Sequence, residues 1–84
     1  MYRVIITRRI EKELTGMPPK IVGQIMRKMD SLGENPRPQD SKRVILQPGI
    51  LRVDSGEYRI FYTVDDGEQL VVIERVRHRR DAYR

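Results

Sequence analysis

The apolar positions of this chain change their period once, near residue 34. Before that point Val4, Ile5 and Ile6 form a short continuous run inside YRVIIT at residues 2–7, which predicts a buried strand. From Thr7 the spacing becomes helical. Ile10, Leu14 and Met17 recur at intervals of four and three, so a helix is predicted over about 8–15, with Thr7 as its N-cap and Gly16 ending it. Pro18 and Pro19 open a second helix, because proline is tolerated in a first turn. Ile21, Val22, Ile25, Met26, Met29 and Leu32 make its apolar stripe, and Gly33 is expected to stop it. So short a connection predicts an antiparallel helical hairpin.

From ENPRPQD at 34–40 onward, apolar residues alternate or run together instead. Residues 43–47, 50–54, 57–64 and 69–77 read as strands, separated by turn signals at 48–49 (PG), 54–56 (DSG) and 65–67 (DDG). Asp66-Gly67 predicts a two-residue hairpin. The fold class is therefore α+β: an N-terminal strand, a two-helix antiparallel hairpin, then a three- to four-stranded antiparallel sheet. The helices pack on one face of the sheet, and the other face is left open. With no repeat, low-complexity segment or linker, residues 1–84 are expected to be one domain.

An open face needs polar residues, and alternation names them. Leu51 and Val53 point opposite to Arg52, and Arg59 and Thr63 opposite to Tyr58, Ile60, Tyr62 and Val64. Tyr58 and Tyr62 read as packing residues. In the last strand Arg75 and Arg77 share a side, with Glu74 and Val76 on the other. A suitable register would gather Arg52, Arg59 and Arg77 from three adjacent strands.

Charge sharpens this picture. The last ten residues, RVRHRRDAYR, hold five arginines and one aspartate, so they carry +4 of the net +5. Without them, 12 basic residues face 11 acidic ones. A pI near 10.0 favours a polyanion or an acidic protein as partner. The lack of cysteine excludes a disulfide scaffold and a thiolate metal site, and a single histidine argues against zinc. No apolar stretch reads as a signal peptide or membrane span, which makes the cytoplasm the expected compartment.

Three converging guanidinium groups suit a phosphodiester, because each offers a planar fork of donors and stays charged at any working pH. Tyr83 adds a ring that can stack on a base or exchange a proton. The chemistry this suggests is metal-free RNA cleavage, with arginines stabilising a five-coordinate phosphorane formed by 2′-hydroxyl attack. The plain alternative is a solvated basic face, with His78 a surface or capping residue. DDGE at 65–68 reads as a turn, not a metal site, and no Walker or dinucleotide loop is present.

Together these residues carry a resemblance. RVDSGEYRIFYTVDD followed by VVIERVRHRRDAYR resembles the RelE/ParE toxin superfamily, whose members share a G-x-Y-R-hydrophobic-x-Y strand and an Arg-rich R-x-x-x-Y ending. The front, YRVIITRRIEKELTGMPPKIVGQI, is similar to the family's strand and helical hairpin, so the likeness covers nearly the whole chain. RelE-like members are ribosome-dependent mRNA interferases; ParE-like members poison DNA gyrase without a nucleolytic site. The resemblance implies a type II toxin–antitoxin toxin of RelE-like fold, with a cognate antitoxin covering an apolar groove of the free toxin. Ribosome and mRNA would be further partners, with no membrane and no cofactor. The toxin–antitoxin species would be a hetero-oligomer, and the free toxin a monomer or weak dimer.

Carried over residue by residue, the resemblance implies that Arg59 grips the scissile phosphate and Arg77 sits near the leaving 5′-oxygen or the phosphate. Arg52 stands where the family has a strand lysine, and Tyr83 stacks on substrate or acts as base. His78 is a secondary candidate for proton transfer, and Arg43, Arg75, Arg79 and Arg80 supply charge for RNA. One departure stands out: Ile50 occupies the place of a second lysine. The ribonuclease is thus the expected activity, with a gyrase poison and an inactive family member as rivals.

Overall fold

In the computed structural model, which describes residues 1–82, the chain runs β1 (Arg3–Ile6), α1 (Arg8–Thr15), α2 (Pro19–Glu34), β2 (Lys42–Arg43), β3 (Leu51–Ser55), β4 (Tyr58–Asp65) and β5 (Leu70–His78), then a 3₁₀ turn at Arg79–Asp81. All five strands join one sheet in the order β1-β5-β4-β3-β2. β1 lies parallel to β5, and every other pairing is antiparallel. This is the expected α+β arrangement, with the N-terminal strand added as a parallel edge.

The helical periodicity was informative because each stripe found a sheet to cover. Ile10 and Leu14 of α1 and Ile25, Met29 and Leu32 of α2 pack on Val53, Ile60, Tyr62, Val71, Ile73 and Val76 in one cluster. Each fully buried aliphatic side chain there contributes roughly 1.5–3 kcal/mol relative to exposure, so this layer is the main source of stability. Thr7 caps α1 by accepting the Ile10 N–H at 3.4 Å. Tyr62 is wholly buried, and its hydroxyl donates to the Pro36 carbonyl at 2.7 Å, tying the loop after α2 to the core. No helix among the described residues is long and apolar enough to cross a membrane.

Several local expectations need correcting. Gly33 does not stop α2, which continues to Glu34 and ends at Asn35. It serves instead as a close-approach point: a Cβ there would stand 3.0 Å from the Tyr2 carbonyl oxygen, whose residue donates its N–H to Gly33 O at 2.8 Å. The strand expected at 43–47 shrinks to Lys42–Arg43, because Val44, Gln47 and Ile50 bond among themselves in turns and leave Ile45 and Leu46 about 90% exposed. The β4–β5 connection has four residues, 66–69, not two, since Asp65 pairs with Leu70. Asp65 accepts the Glu68 N–H at 3.0 Å, and the left-handed backbone falls on Gln69, with φ +54, not on Gly67.

Two further corrections bear on the site. Phe61 pairs with Arg75 but Tyr62 pairs with Ile73, so Glu74 is the extra residue of a bulge. It therefore leaves the side that strict alternation assigned it, and accepts a hydrogen bond from Thr63 at 3.2 Å on the face of Arg59. That face is also not wholly open. Val44, Phe61 and Ala82, with Ile50 beside them, form a second small apolar cluster that the 44–50 loop and the C-terminal turn lay over the sheet.

Candidate functional site

β3, β4 and β5 bring the arginines together through their register. Arg59 lies directly across from Arg77 on one side and from Asp54 on the other, while Arg52 pairs with Phe61 one step along. Cross-strand partners hold their Cβ atoms about 4.5–5.5 Å apart, and diagonal neighbours about 7–8 Å. Arg52, Arg59 and Arg77 thus share one patch, on the face turned away from the helices. Like charges so placed repel unless carboxylates intervene, and the chain provides them.

Asp54 Oδ1 lies 3.5 Å from both Arg52 Nη1 and Arg59 Nε. Glu13 of α1 reaches Arg77 Nη1 at 2.9 Å. Glu57, in the β3–β4 turn, faces His78 Nε2 at 3.3 Å and Arg79 Nη2 at 3.7 Å. The three sheet arginines are partly buried, with 17%, 22% and 32% of the side chain exposed for Arg52, Arg59 and Arg77. Partial burial weakens solvent screening and makes each group a stronger anion ligand than a free surface arginine.

The remaining expected residues fall around this patch. Arg75 stacks its guanidinium 4.2 Å above the Phe61 ring, a cation–π contact beside the second apolar cluster. Arg9 of α1, Gln47, Ile50 and Glu74 complete a shallow cleft of about 310 Å³ there. His78 makes an edge-to-face contact with Tyr58, ring centres 5.3 Å apart. Its Nδ1 accepts the Arg80 N–H at 3.2 Å and so caps the 3₁₀ turn. That bond puts the proton of the neutral ring on Nε2, facing Glu57.

Arg79 and Arg80 are exposed on the turn, with the Arg79 N–H donating to the Glu57 carbonyl at 2.7 Å. Arg43 is exposed on β2 and stands apart from the patch, on a separate cleft of about 560 Å³ rimmed by Ile45, Pro48 and Ile50. Ile50 packs against the cluster of Val44, Phe61 and Ala82 on one side and borders both clefts, near Arg43 and Arg75, on the other. Tyr83 lies outside the described residues.

Sequence reasoning found the cations and missed their partners. Glu13 is separated from Arg77 by 64 positions in the chain, and nothing in a helical stripe signals that one of its carboxylates will meet a distant strand. Asp54 and Glu57 sit beside a turn, where acidic residues are expected for turn chemistry alone. A second charged group, at the opposite end of the sheet, was also not anticipated. Asp66 accepts two hydrogen bonds from Arg37, at 2.9 and 3.0 Å, and one from the Tyr2 hydroxyl at 2.6 Å. These donors, Arg37 foremost, hold its carboxyl down to about 2.

Comparison with known proteins bears on the lineage and the fold. The family described as the ParE toxin of type II toxin–antitoxin system, parDE, matches residues 4–83. The chain is 31% identical over 84 residues to toxin RelG of Mycobacterium tuberculosis, covering 99% of this chain and 97% of that protein. Among solved structures, the toxin–antitoxin complex RelBE2 of the same organism contains a chain that superposes with a TM-score of 0.79 at 31% identity, over 92% of this chain and 96% of that one. A chain of the archaeal RelE–RelB complex from Pyrococcus horikoshii shares the fold, with a TM-score of 0.82 at 24% identity over 96% of this chain and 98% of that one. A match that spans both helices, all five strands and the arginine patch leaves one reading of the lineage: the chain belongs to the ParE toxin family of type II toxin–antitoxin systems, within the RelE/ParE superfamily that its sequence resembles.

Proposed function

We propose that this toxin is a ribosome-dependent mRNA endoribonuclease. The observation that carries the reading is the direct pairing of Arg59 with Arg77, Arg52 one step away, on a partly buried face. In this reading a 2′-hydroxyl oxygen attacks the adjacent 3′-phosphorus as the bond from phosphorus to the 5′-oxygen breaks. The products are a 2′,3′-cyclic phosphate and a free 5′-hydroxyl, after the 2′-hydroxyl gives up its proton and the 5′-oxygen gains one. Arg59 and Arg77 hold the charge of the five-coordinate phosphorane, and Arg52 holds the backbone.

Guanidinium groups do not release protons, so acid–base work falls to other residues. Tyr83 is the first candidate, as a stacking ring or a base, and His78 the second, through Nε2. Arg75, Arg79 and Arg80 add charge toward ribosomal RNA or mRNA, and Arg43 extends it from the far edge of the sheet. No metal or cofactor is required. The protein acts in the cytoplasm as a single RelE-like domain. A cognate antitoxin neutralises it, and the exposed Ile45 and Leu46 beside the 560 Å³ cleft offer that antitoxin an apolar groove.

The test is induced expression of wild type and Arg77→Ala in a bacterial host, with primer extension on a reporter mRNA. Cuts within codons that require translation and vanish in the variant are the expected result. Growth arrest without mRNA cuts would move the assignment to a gyrase poison. That second reading has its own observation: Ile50, at a position where the ribonucleases have a lysine, packs against an apolar cluster.

A further inference from the structure

β1 ends at Ile6, opposite Ile73, so β5 runs on from Glu74 to His78 beyond the end of its parallel neighbour. The chain turns at Thr7 into α1, and the second turn of that helix brings Glu13 to the uncovered stretch. There Glu13 Oε1 accepts the Val76 N–H at 3.3 Å and pairs with Arg77 Nη1 at 2.9 Å. Its other oxygen lies 3.7 Å from Arg9 Nε. The same Arg77 Nη1 also donates to the Val76 carbonyl at 2.8 Å.

One end of the Arg77 guanidinium is therefore occupied twice. Nε and Nη2, the side-on edge that engages two phosphate oxygens at once, have no partner among the described residues. We propose that Glu13 is a positioning residue for RNA cleavage: it clamps Nη1 so that the Nε–Nη2 edge of Arg77 meets the scissile phosphate beside Arg59. The inference rests on the ribonuclease reading above. It concerns orientation, because a long arginine side chain must otherwise be ordered when substrate arrives.

Charge alone predicts the reverse. A carboxylate next to a phosphodiester repels it, so neutralising Glu13 favours substrate binding while removing the clamp. The two effects separate in KM and kcat. The experiment is mRNA cleavage on programmed ribosomes by wild type, Glu13→Gln and Glu13→Asp, each with its melting temperature and a ¹⁵N spectrum of the arginine side chains. Glu13→Gln is expected to lower kcat about 10–100-fold, the range for a misplaced catalytic group, with KM unchanged or lower and melting preserved. The separate Nη signals of Arg77, kept distinct by a fixed guanidinium, should merge in Glu13→Gln, and Glu13→Asp should restore part of kcat.

Cleavage by Glu13→Gln at or above the wild-type rate would overturn the proposal, since Glu13 would then only restrain Arg77. A loss of kcat shared by a raised KM and a lowered melting point, with no rescue by Glu13→Asp, would overturn it in favour of a helix-to-sheet prop. Wild type that cuts no mRNA would remove the ribonuclease reading itself, before any variant is compared.

Discussion

Both ends of the β4–β5 hairpin carry arginines and acids, about 20 Å apart along the strands. At the turn end, one guanidinium meets one carboxylate in a two-pronged contact, and a phenol closes the third side. At the far end Arg52, Arg59, Arg77, His78 and Arg79 share Asp54, Glu13 and Glu57, mostly at 3.3–3.7 Å. The first group is matched in number and geometry and has little left to offer a ligand. Among the described residues the second has more cations than anions, and looser contacts. An arginine cluster is informative about binding only when its counter-charges are counted, and by that count the far end keeps the larger cationic surplus among the described residues.

The sharpest way to break the comparison is to remove a cation from each end. Arg59→Ala should lower mRNA cleavage by about 10²–10³-fold, the loss typical of a missing transition-state donor, while Arg37→Ala leaves cleavage near wild type. Primer extension on a translated reporter reads both. Equal losses at the two ends would erase the functional distinction.

A smaller effect is expected from the core-side tie at the turn end. Tyr62→Phe removes the buried hydroxyl and leaves the Pro36 carbonyl unpaired, at a cost of about 1–3 kcal/mol in urea unfolding, with the slope unchanged. Asp54→Asn works on the other end in the opposite sense. It removes the carboxylate shared by Arg52 and Arg59, so RNA should bind a few-fold tighter at low salt, with the gain lost as salt rises. Weaker binding would mean that Asp54 orders the two arginines more than it neutralises them.

The smallest effect is one of pH. Asp66 ionises at about 2 in the fold against 3.8 ordinarily, so its tie is fully present above about pH 4 and is lost as pH falls toward 2. Carboxyl NMR should find Asp66 titrating near 2, and Arg37→Ala should move that value up toward 3.8. An unmoved value would mean that Tyr2, not Arg37, holds the carboxylate.

Legibility in the sequence followed how local each cause was. Thr7 capping α1, the stripe from Ile21 to Leu32 and the alternation in β4 each depend on neighbours within a few residues, and all could be read. Ile45 and Leu46 look like strand residues by propensity, yet turns at 44–50 expose them, because the segment closes on its own backbone groups. Glu74 escaped alternation through a bulge, and a bulge depends on the partner strand as much as on its own.

By itself the sequence determined the element types, the helix-covered layer and the identity of the arginines that line the sheet, because hydrophobic period and side-chain chemistry act locally. It also determined the family through the spacing of its GEYRIFY strand. Only the tertiary structure decided that Arg59 faces Arg77, that Asp54, Glu57 and Glu13 temper the cluster, and that Asp66 is spent on Arg37 and Tyr2. Those outcomes depend on register and on where a helix ends beside a strand, and both are set by packing between segments as many as 64 residues apart.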